Sequence, residues 1–407
     1  MNRGAAPTGR PMSRRTVLGA GAAVGATALI GGLAGGRGTG AAAGRSDRPL
    51  RIGYLPITDA APLLVAHAQR RFAGTGTGNG AGGAESVLVG PPVLFRAWES
   101  LAQAFLAGDV DVVHLLMPFA VQLRYALGAR VRIVAWNHTN GSALTVGPSV
   151  RELGELGGRS VAIPFWWSIH NLMLQRMLRE VGLRPVVRRT PSARDGTVRL
   201  VVMSPADMLP ALDTGTIGGY IVADPFNAAA ELRGVGRIGR FVGDVWANHA
   251  CCAVLVRQDL IDTRPGAVRA VTDAVAGAQH WIADHRVDTA ALLNANRYLP
   301  QPLPAIRRAL NRAPTDPALV VRHPSWHGER MGFTPFPFPS YTEAMVRSMH
   351  DTVVDGDRTF LDHLDPSAVH GELVDDRFVR ASLGALGGPS AFGLPDTLIR
   401  TEEVQPV

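Results

Sequence analysis

From Leu50 onward the chain alternates short, nearly uninterrupted apolar runs with stretches in which apolar residues recur every three or four positions. LRIGYL (50–55), VDVVHLL (110–116), VRIVAW (131–136), RSVAIPF (159–165), RLVVM (199–203), GGYIVA (218–223) and CCAVLV (251–256) have the length and Val/Ile/Leu content of buried strands. Between them lie segments with helix punctuation. WESLAQAFLAG ends at Gly108, and PFAVQLRYALG opens on Pro118 and ends at Gly128. SIHNLMLQRMLREVG starts at Ser168, a capping residue type. SPADMLPALDTG has Ser204 as cap and Pro205 at its first position, and Asp224 and Pro225 open DPFNAAAELRG. Thr58 or Asp59 is expected to cap the first helix, with Pro62 in its first turn. Strand and helix in alternation predict an α/β architecture built on parallel strands. Beyond residue 256 the pattern is helical to about residue 350, interrupted by the extended Pro/Phe segment FTPFPFPSY (333–341). Residues 386–407 read as a flexible tail.

The first 43 residues break this pattern. A twin arginine, Arg14-Arg15, precedes a weakly apolar Ala/Gly-rich run, and the small residues AAAG (41–44) follow. This resembles a twin-arginine export leader, spanning 1–43, and implies an extracytoplasmic mature protein. An uncleaved leader acting as a membrane anchor is the alternative, weakened by the glycine content of the run. The leader holds five arginines and no acid, so it carries most of the net charge of +7 and leaves about +2. Such a balance gives no electrostatic footprint for nucleic acid.

All 41 basic residues are arginine. Without lysine there is no Walker phosphate loop, no lysine Schiff base and no Ser-x-x-Lys nucleophile. The glycine-rich GTGTGNGAGG (74–83) lacks a leading strand and a following helix, so it makes a poor dinucleotide loop. No cofactor is expected.

In open α/β sheets ligands bind beyond the carboxyl ends of the strands, where helix N-termini present free N–H groups. Four junctions qualify: Thr58-Asp59, Met117-Pro118, PFWWSIH with Trp167, Ser168 and His170, and Ala223-Asp224-Pro225. At the third, Ser168 can cap the helix and leave His170 in the first turn, able to donate to an anion or carbonyl. A plain packing role for His170 and the two tryptophans is the alternative.

Taken in order, several segments resemble the solute-binding proteins of bacterial ABC importers in the nitrate/bicarbonate/sulfonate group. They are RIGYLPITDAAPLLVAHAQRRFA, AFLAGDVDVVHLLMPFAVQL, TNGSALTV, GYIVADPFNAAAE, GDVWANH and PFPSYTEAM. The resemblance implies a type II periplasmic-binding fold, two α/β lobes with a ligand cleft between them. Lobe 1 would comprise 49–141 and 252–385 and lobe 2 142–251, with crossings near Asn140 to Thr145 and Gly243 to Ala253. It also implies a small-solute ligand, a membrane permease with its ATPase as partners, no catalysis, and a monomer. Ligand contacts carried over by position are Trp98, Ser142, His170 and Cys252. Ser142 stands where anion-binding members commonly have an amide, and Cys252 where they have lysine. Nitrate or bicarbonate is therefore not favoured: a neutral or weakly charged small organic solute, or an anion held by backbone N–H groups and histidine, is equally allowed.

Cys251 and Cys252, the only cysteines, follow His249 by two residues. Strand alternation predicts one thiol in the core and one facing the cleft. A disulfide between neighbours would have to span Cα atoms only ~3.8 Å apart and would be strained. A metal site drawn from His170, His249 and Cys252, a sensory binding role, and an enzyme on the same fold (a thiamine-pyrimidine synthase) stand as alternatives. The missing lysine argues against the last.

Overall fold

A computed structural model of the chain describes residues 48–72, 87, 89–310 and 321–405. The leader and the 74–83 loop lie outside the described residues. Among the described residues there are thirteen strands: β1 (Ile52–Tyr54), β2 (Val93–Leu94), β3 (Val112–Leu116), β4 (Val131–Trp136), β5 (Thr139–Asn140), β6 (Ser142–Val146), β7 (Ser160–Ile163), β8 (Arg184–Val186), β9 (Thr197–Val202), β10 (Gly219–Ala223), β11 (Arg237–Phe241), β12 (Cys252–Arg257) and β13 (Met331–Gly332). They form two principal sheets, in the orders β2-β1-β3-β12-β4 and β11-β6-β10-β7-β9-β8, plus the small pair β13-β5. Each sheet is packed by helices, giving two α/β lobes.

Neither principal sheet is wholly parallel. Strand β12 lies antiparallel between β3 and β4, and β6 lies antiparallel between β10 and β11. Both exceptions have one cause. The chain enters the second sheet through β6 and returns to the first through β12, so each crossing strand runs against its neighbours. The starts of β6 and β12 therefore sit at the carboxyl ends of the parallel strands. Ser142 pairs with Ala223, the last residue of β10, and Cys252 pairs with Leu116, the last of β3. Sequence-remote polar residues are thereby delivered to the ends where ligands bind.

The two crossings are tied to each other. Asn140 and Gly141 turn the chain with φ of 59° and 84°. The amide of Asn140 donates to the His249 carbonyl (2.8 Å), and Asn140 Oδ1 accepts from the amide of Asn248 (3.0 Å). Gly141 allows a close approach: a Cβ there would lie 2.7 Å from Met331 Cε and 3.2 Å from His138 Nδ1.

The lobes are closed on one another. The Thr58 amide and hydroxyl both donate to the Asp224 carbonyl (2.8 and 2.9 Å). Ser204 Oγ donates to the Arg96 carbonyl, and the Phe119 and Phe165 rings meet at 4.1 Å. Helix Leu303–Leu310 of the first lobe packs on helix Phe226–Arg233 of the second through Ala305, Ala309 and Ala228.

Three local expectations need correction. Neither Thr58 nor Asp59 caps the first helix: a 3-10 turn spans Thr58–Ala60, and helix Ala61–Ala68 starts without a side-chain cap. Both side chains are turned to the other lobe and to the cleft instead. Ser204 does hold the N-cap position before Pro205, but its hydroxyl makes no capping bond, being engaged with the Arg96 carbonyl. The segment expected to be a flexible tail is held down: Trp246 Nε1 donates to Glu402 Oε2 (2.8 Å), and the Gln405 amide donates to the Val245 carbonyl. Among the described residues no helix is long and apolar enough to cross a membrane.

Candidate functional site

At the meeting of strand ends and crossings lies a buried polar cluster. Asp59 comes from the 3-10 turn after β1, His138 from the link between β4 and β5, Cys251 from the residue just before β12 and Cys252 from its first position. All four are wholly buried. His138 Nε2 is 2.9 Å from Asp59 Oδ2, Cys252 Sγ is 3.3 Å from the same oxygen, and the two sulfurs are 3.6 Å apart. On the second-lobe side, His170 Nε2 is 3.0 Å from Ser142 Oγ and 3.8 Å from Cys251 Sγ.

Sequence sets these positions locally. Ser168 is extended (φ −133°), and its hydroxyl accepts from the Asn171 amide, so helix Ile169–Glu180 begins with His170 in its first turn. His114 sits mid-strand in β3, where its Nε2 accepts from the Leu55 amide (2.9 Å) and its ring meets Trp98 at 5.5 Å. His249 is oriented by a contact between Nδ1 and the Trp246 carbonyl (3.0 Å).

The electrostatics separate these groups. Burial works against the charge on Asp59 and His138, but each carries the other's counter-charge. The Asp59 carboxyl is held below its usual range, and the His138 imidazolium is pushed up to about 10. Burial also opposes ionisation of Cys251. The Cys252 thiol hydrogen bond and the His170 ring overcome it and push Cys251 down to about 5. Cys252 is raised well above an ordinary thiol, first by burial and then by the neighbouring sulfur. Burial keeps His114 and His249 neutral, lowered to about 4 and about 3. The cluster and its surroundings thus hold one ion pair, one acidified thiol and two neutral imidazoles, all buried.

Of the residues singled out from sequence, the structure brings Asp59, Ser142, His170 and Cys252 into contact, directly or through Cys251. His249 lies close enough to feel the charges on His138, His170 and Asp59. Thr58 and Asp224 form the interlobe clamp at its edge. Trp98 reaches the site only through His114. Pro118 is the second residue of helix Met117–Tyr125, and Trp167 packs edge-to-face with Phe360 at 5.5 Å. Both thiols are free, and the alternation rule fails for them. Strand β12 begins at Cys252, so Cys251 belongs to the preceding turn and its sulfur swings to the same side. The alternative donor set His170, His249 and Cys252 is not the one the fold draws together. The cluster whose donor atoms all lie within 4.8 Å of one another is Asp59, His138, Cys251 and Cys252.

Sequence alone does not single out His138, His114 or Arg330. Arg330, wholly buried, joins Asp224 (3.1 Å) and Glu231 (2.8 Å) across the cleft. A signal for His138 was present: Trp136-Asn137-His138 and Trp246-Ala247-Asn248-His249 put an Asn-His pair before each crossing.

Two α/β lobes joined by crossed strands, with a polar chamber between them, define a periplasmic-binding-type protein. The chain belongs to the NMT1-like family, whose model matches residues 43–294. It is 25% identical over 271 residues to the nitrate/nitrite binding protein NrtA of Nostoc sp., covering 61% of this chain and 57% of that protein. The chain thus spans little more than half the length of that relative. The crystal structure of the periplasmic nitrate-binding protein NrtA from Synechocystis superposes with a TM-score of 0.71 at 18% identity, covering 86% of this chain and 92% of that one. The ligand-binding component of an ABC-type import system from Staphylococcus aureus, solved with zinc bound, gives a TM-score of 0.63 at 20% identity, with 82% and 99% covered.

Proposed function

We propose that this chain is the extracytoplasmic solute-binding component of an ABC importer, exported by its twin-arginine leader and acting as a monomer. It captures a small solute between its lobes and presents the closed form to a membrane permease and its ATPase. The role is binding, not catalysis. One observation carries the reading: the buried polar cluster is drawn from both lobes and both crossings, so a ligand held by these side chains contacts every part that lobe closure brings together. A ligand stabilises closure only through contacts made in the closed state. The Thr58–Asp224 clamp beside Asp59, and His170 with Ser142 opposite, supply such contacts. Membership of a family with nitrate-binding and import-system relatives supports the same reading.

The test is a thermal-shift panel of nitrate, bicarbonate, cyanate, sulfonates, carboxylates and divalent metals, followed by small-angle scattering with any hit. A ligand at 100 times its Kd adds about 2.7 kcal/mol and a visible rise in Tm. The expected result is a rise with one class of solute, a more compact particle, and a reduction of both in His170→Ala. A panel in which nothing shifts Tm and the particle size never changes would sink the reading.

A further inference from the structure

In the four-residue cluster the buried donors and acceptors are not matched to one another. Cys252 has one S–H proton and two acceptors within reach, Asp59 Oδ2 at 3.3 Å and Cys251 Sγ at 3.6 Å. Asp59 Oδ1, wholly buried, has no hydrogen-bond partner in the protein. Buried polar atoms are ordinarily satisfied, and an exception calls for an explanation. A single cation at the centre would satisfy both sulfurs, the carboxylate and one imidazole nitrogen at once.

The dimensions agree. A tetrahedral zinc ion with Zn–S of about 2.3 Å separates two sulfurs by about 3.8 Å, and nitrogen or oxygen ligands near 2.0 Å stand about 3.3 Å apart. The sulfurs here are 3.6 Å apart and the His138–Asp59 edge is 2.9 Å, so these two edges need to open by only a few tenths of an ångström, and all four donor atoms lie within 4.8 Å of one another. Two thiols in the donor set exclude calcium and magnesium, which take oxygen ligands. Thiolate with imidazole selects a thiophilic ion. The scaffold supports the donors from behind. Gly141 lets the crossing lie against the His138 ring, the Tyr341 hydroxyl donates to the Ala250 carbonyl just before Cys251, and His170 stands 3.8 Å from the Cys251 sulfur. Such outer partners orient metal ligands.

We infer that Asp59, His138, Cys251 and Cys252 form a binding site for a thiophilic metal ion of the zinc type. This names the ligand class of the cleft and rests on reading the cleft as the solute site. Asp59 belongs to the first lobe and the other three to the crossings, with His170 approaching from the second lobe. An ion here is coordinated at the hinge and sensed by both lobes.

The test uses the purified full chain, kept reduced, stripped with chelator and titrated with Zn2+ against a chromophoric competitor and with Co2+ alone. One equivalent of Zn2+ should bind, and Co2+ should give thiolate charge-transfer and tetrahedral d–d bands. Cys251→Ser and Cys252→Ser, checked for folding by circular dichroism, should each weaken Zn2+ by more than 100-fold, beyond the roughly 10- to 100-fold typical of outer partners. His170→Ala, a positioning change, should fall within that 10- to 100-fold range while keeping the cobalt bands. Zn2+ bound equally well by both serine variants, or octahedral cobalt spectra, would overturn the site and point to adventitious surface histidines. If Zn2+ fails to bind but a solute of the wider panel raises Tm, the metal site falls and the solute-binding reading stands. If Zn2+ binds as expected but the particle never closes, the site stands and the importer reading falls.

Discussion

Two buried polar centres lie within the same cleft, and they are built on opposite terms. In the first, Arg330 meets Asp224 at 3.1 Å and Glu231 at 2.8 Å, and Glu231 also takes a bidentate contact from Arg308 at 2.9 and 3.0 Å. Two cations face two carboxylates, and the planar guanidinium distributes its donors between them. In the second, Asp59, His138, Cys251 and Cys252 crowd together with one carboxylate oxygen unpartnered and one thiol proton for two acceptors. The first is a closed account of charge that joins the lobes. The second is closed only if something enters. Buried polarity alone therefore does not mark a ligand site; an imbalance between donors and acceptors does.

The sharpest way to break this contrast is to remove one member of the balanced centre. Arg330→Met leaves Asp224 buried without its principal counter-charge. It should cost about 3–5 kcal/mol in urea unfolding, as one-sided deletion of buried pairs does. Cys252→Ala in the stripped protein, which removes a group already short of partners, should cost less. Were the two variants equally damaging, the centres would not differ in kind.

A second test concerns the neutral histidines that wall the unbalanced cluster. Burial lowers His114 to about 4 in the folded chain, whereas the unfolded residue titrates near 6.5. Between those values the unfolded state binds the extra proton. The stability His114 contributes is therefore complete above about 6.5 and is lost as pH falls towards 4. One proton corresponds to a slope of about 1.4 kcal/mol per pH unit. In metal-free protein, the stability difference between wild type and His114→Gln should change with that slope across this window. A flat difference would mean His114 is already charged and belongs with the ion pairs.

Much of this was open to reading from the chain. The strand runs and the Pro and Gly punctuation located the parallel strands and the helices that follow them, because those signals are local. Ser168 and His170 were readable for the same reason, a cap and its first turn being four residues of sequence. Hidden were features that depend on direction or on distant partners. The antiparallel return of β12 brings Cys252 against Leu116, 136 positions away, and no pattern within either segment encodes that pairing. Cys251 was misplaced because alternation presumes a strand, and the strand starts one residue later. Arg330 reads as one arginine among 41, and only the fold shows it dry.

The third test acts on the crossing that backs the cluster. Gly141→Ala places a Cβ on a residue with φ of 84°, within 2.7 Å of Met331 Cε and 3.2 Å of His138 Nδ1. The left-handed backbone alone costs about 1–2 kcal/mol, and the ring of His138 has to move. Lower Tm should therefore come with altered cobalt spectra, whereas Arg330→Met should lower Tm and leave those spectra tetrahedral. Unchanged spectra in Gly141→Ala would detach the crossing from the cluster.

The smallest effect should come from Ser168, which touches neither centre. Its hydroxyl accepts from the Asn171 amide at 3.1 Å and donates to the Phe165 carbonyl at 2.8 Å, fixing the turn from which His170 projects. Ser168→Ala should cost about 1 kcal/mol in the stripped protein, as lost caps do. Ser168→Asn, which retains a capping oxygen, should recover most of it. Because the balanced centre has no connection to this turn, the loss should be the same in an Arg330→Met background, additive to within about 0.5 kcal/mol. In protein carrying Zn2+ the loss should grow, since His170 then stands behind a coordinated sulfur and its position matters to the bound state. An equal loss with and without the ion would leave His170 a neighbour of the cluster and not one of its supports.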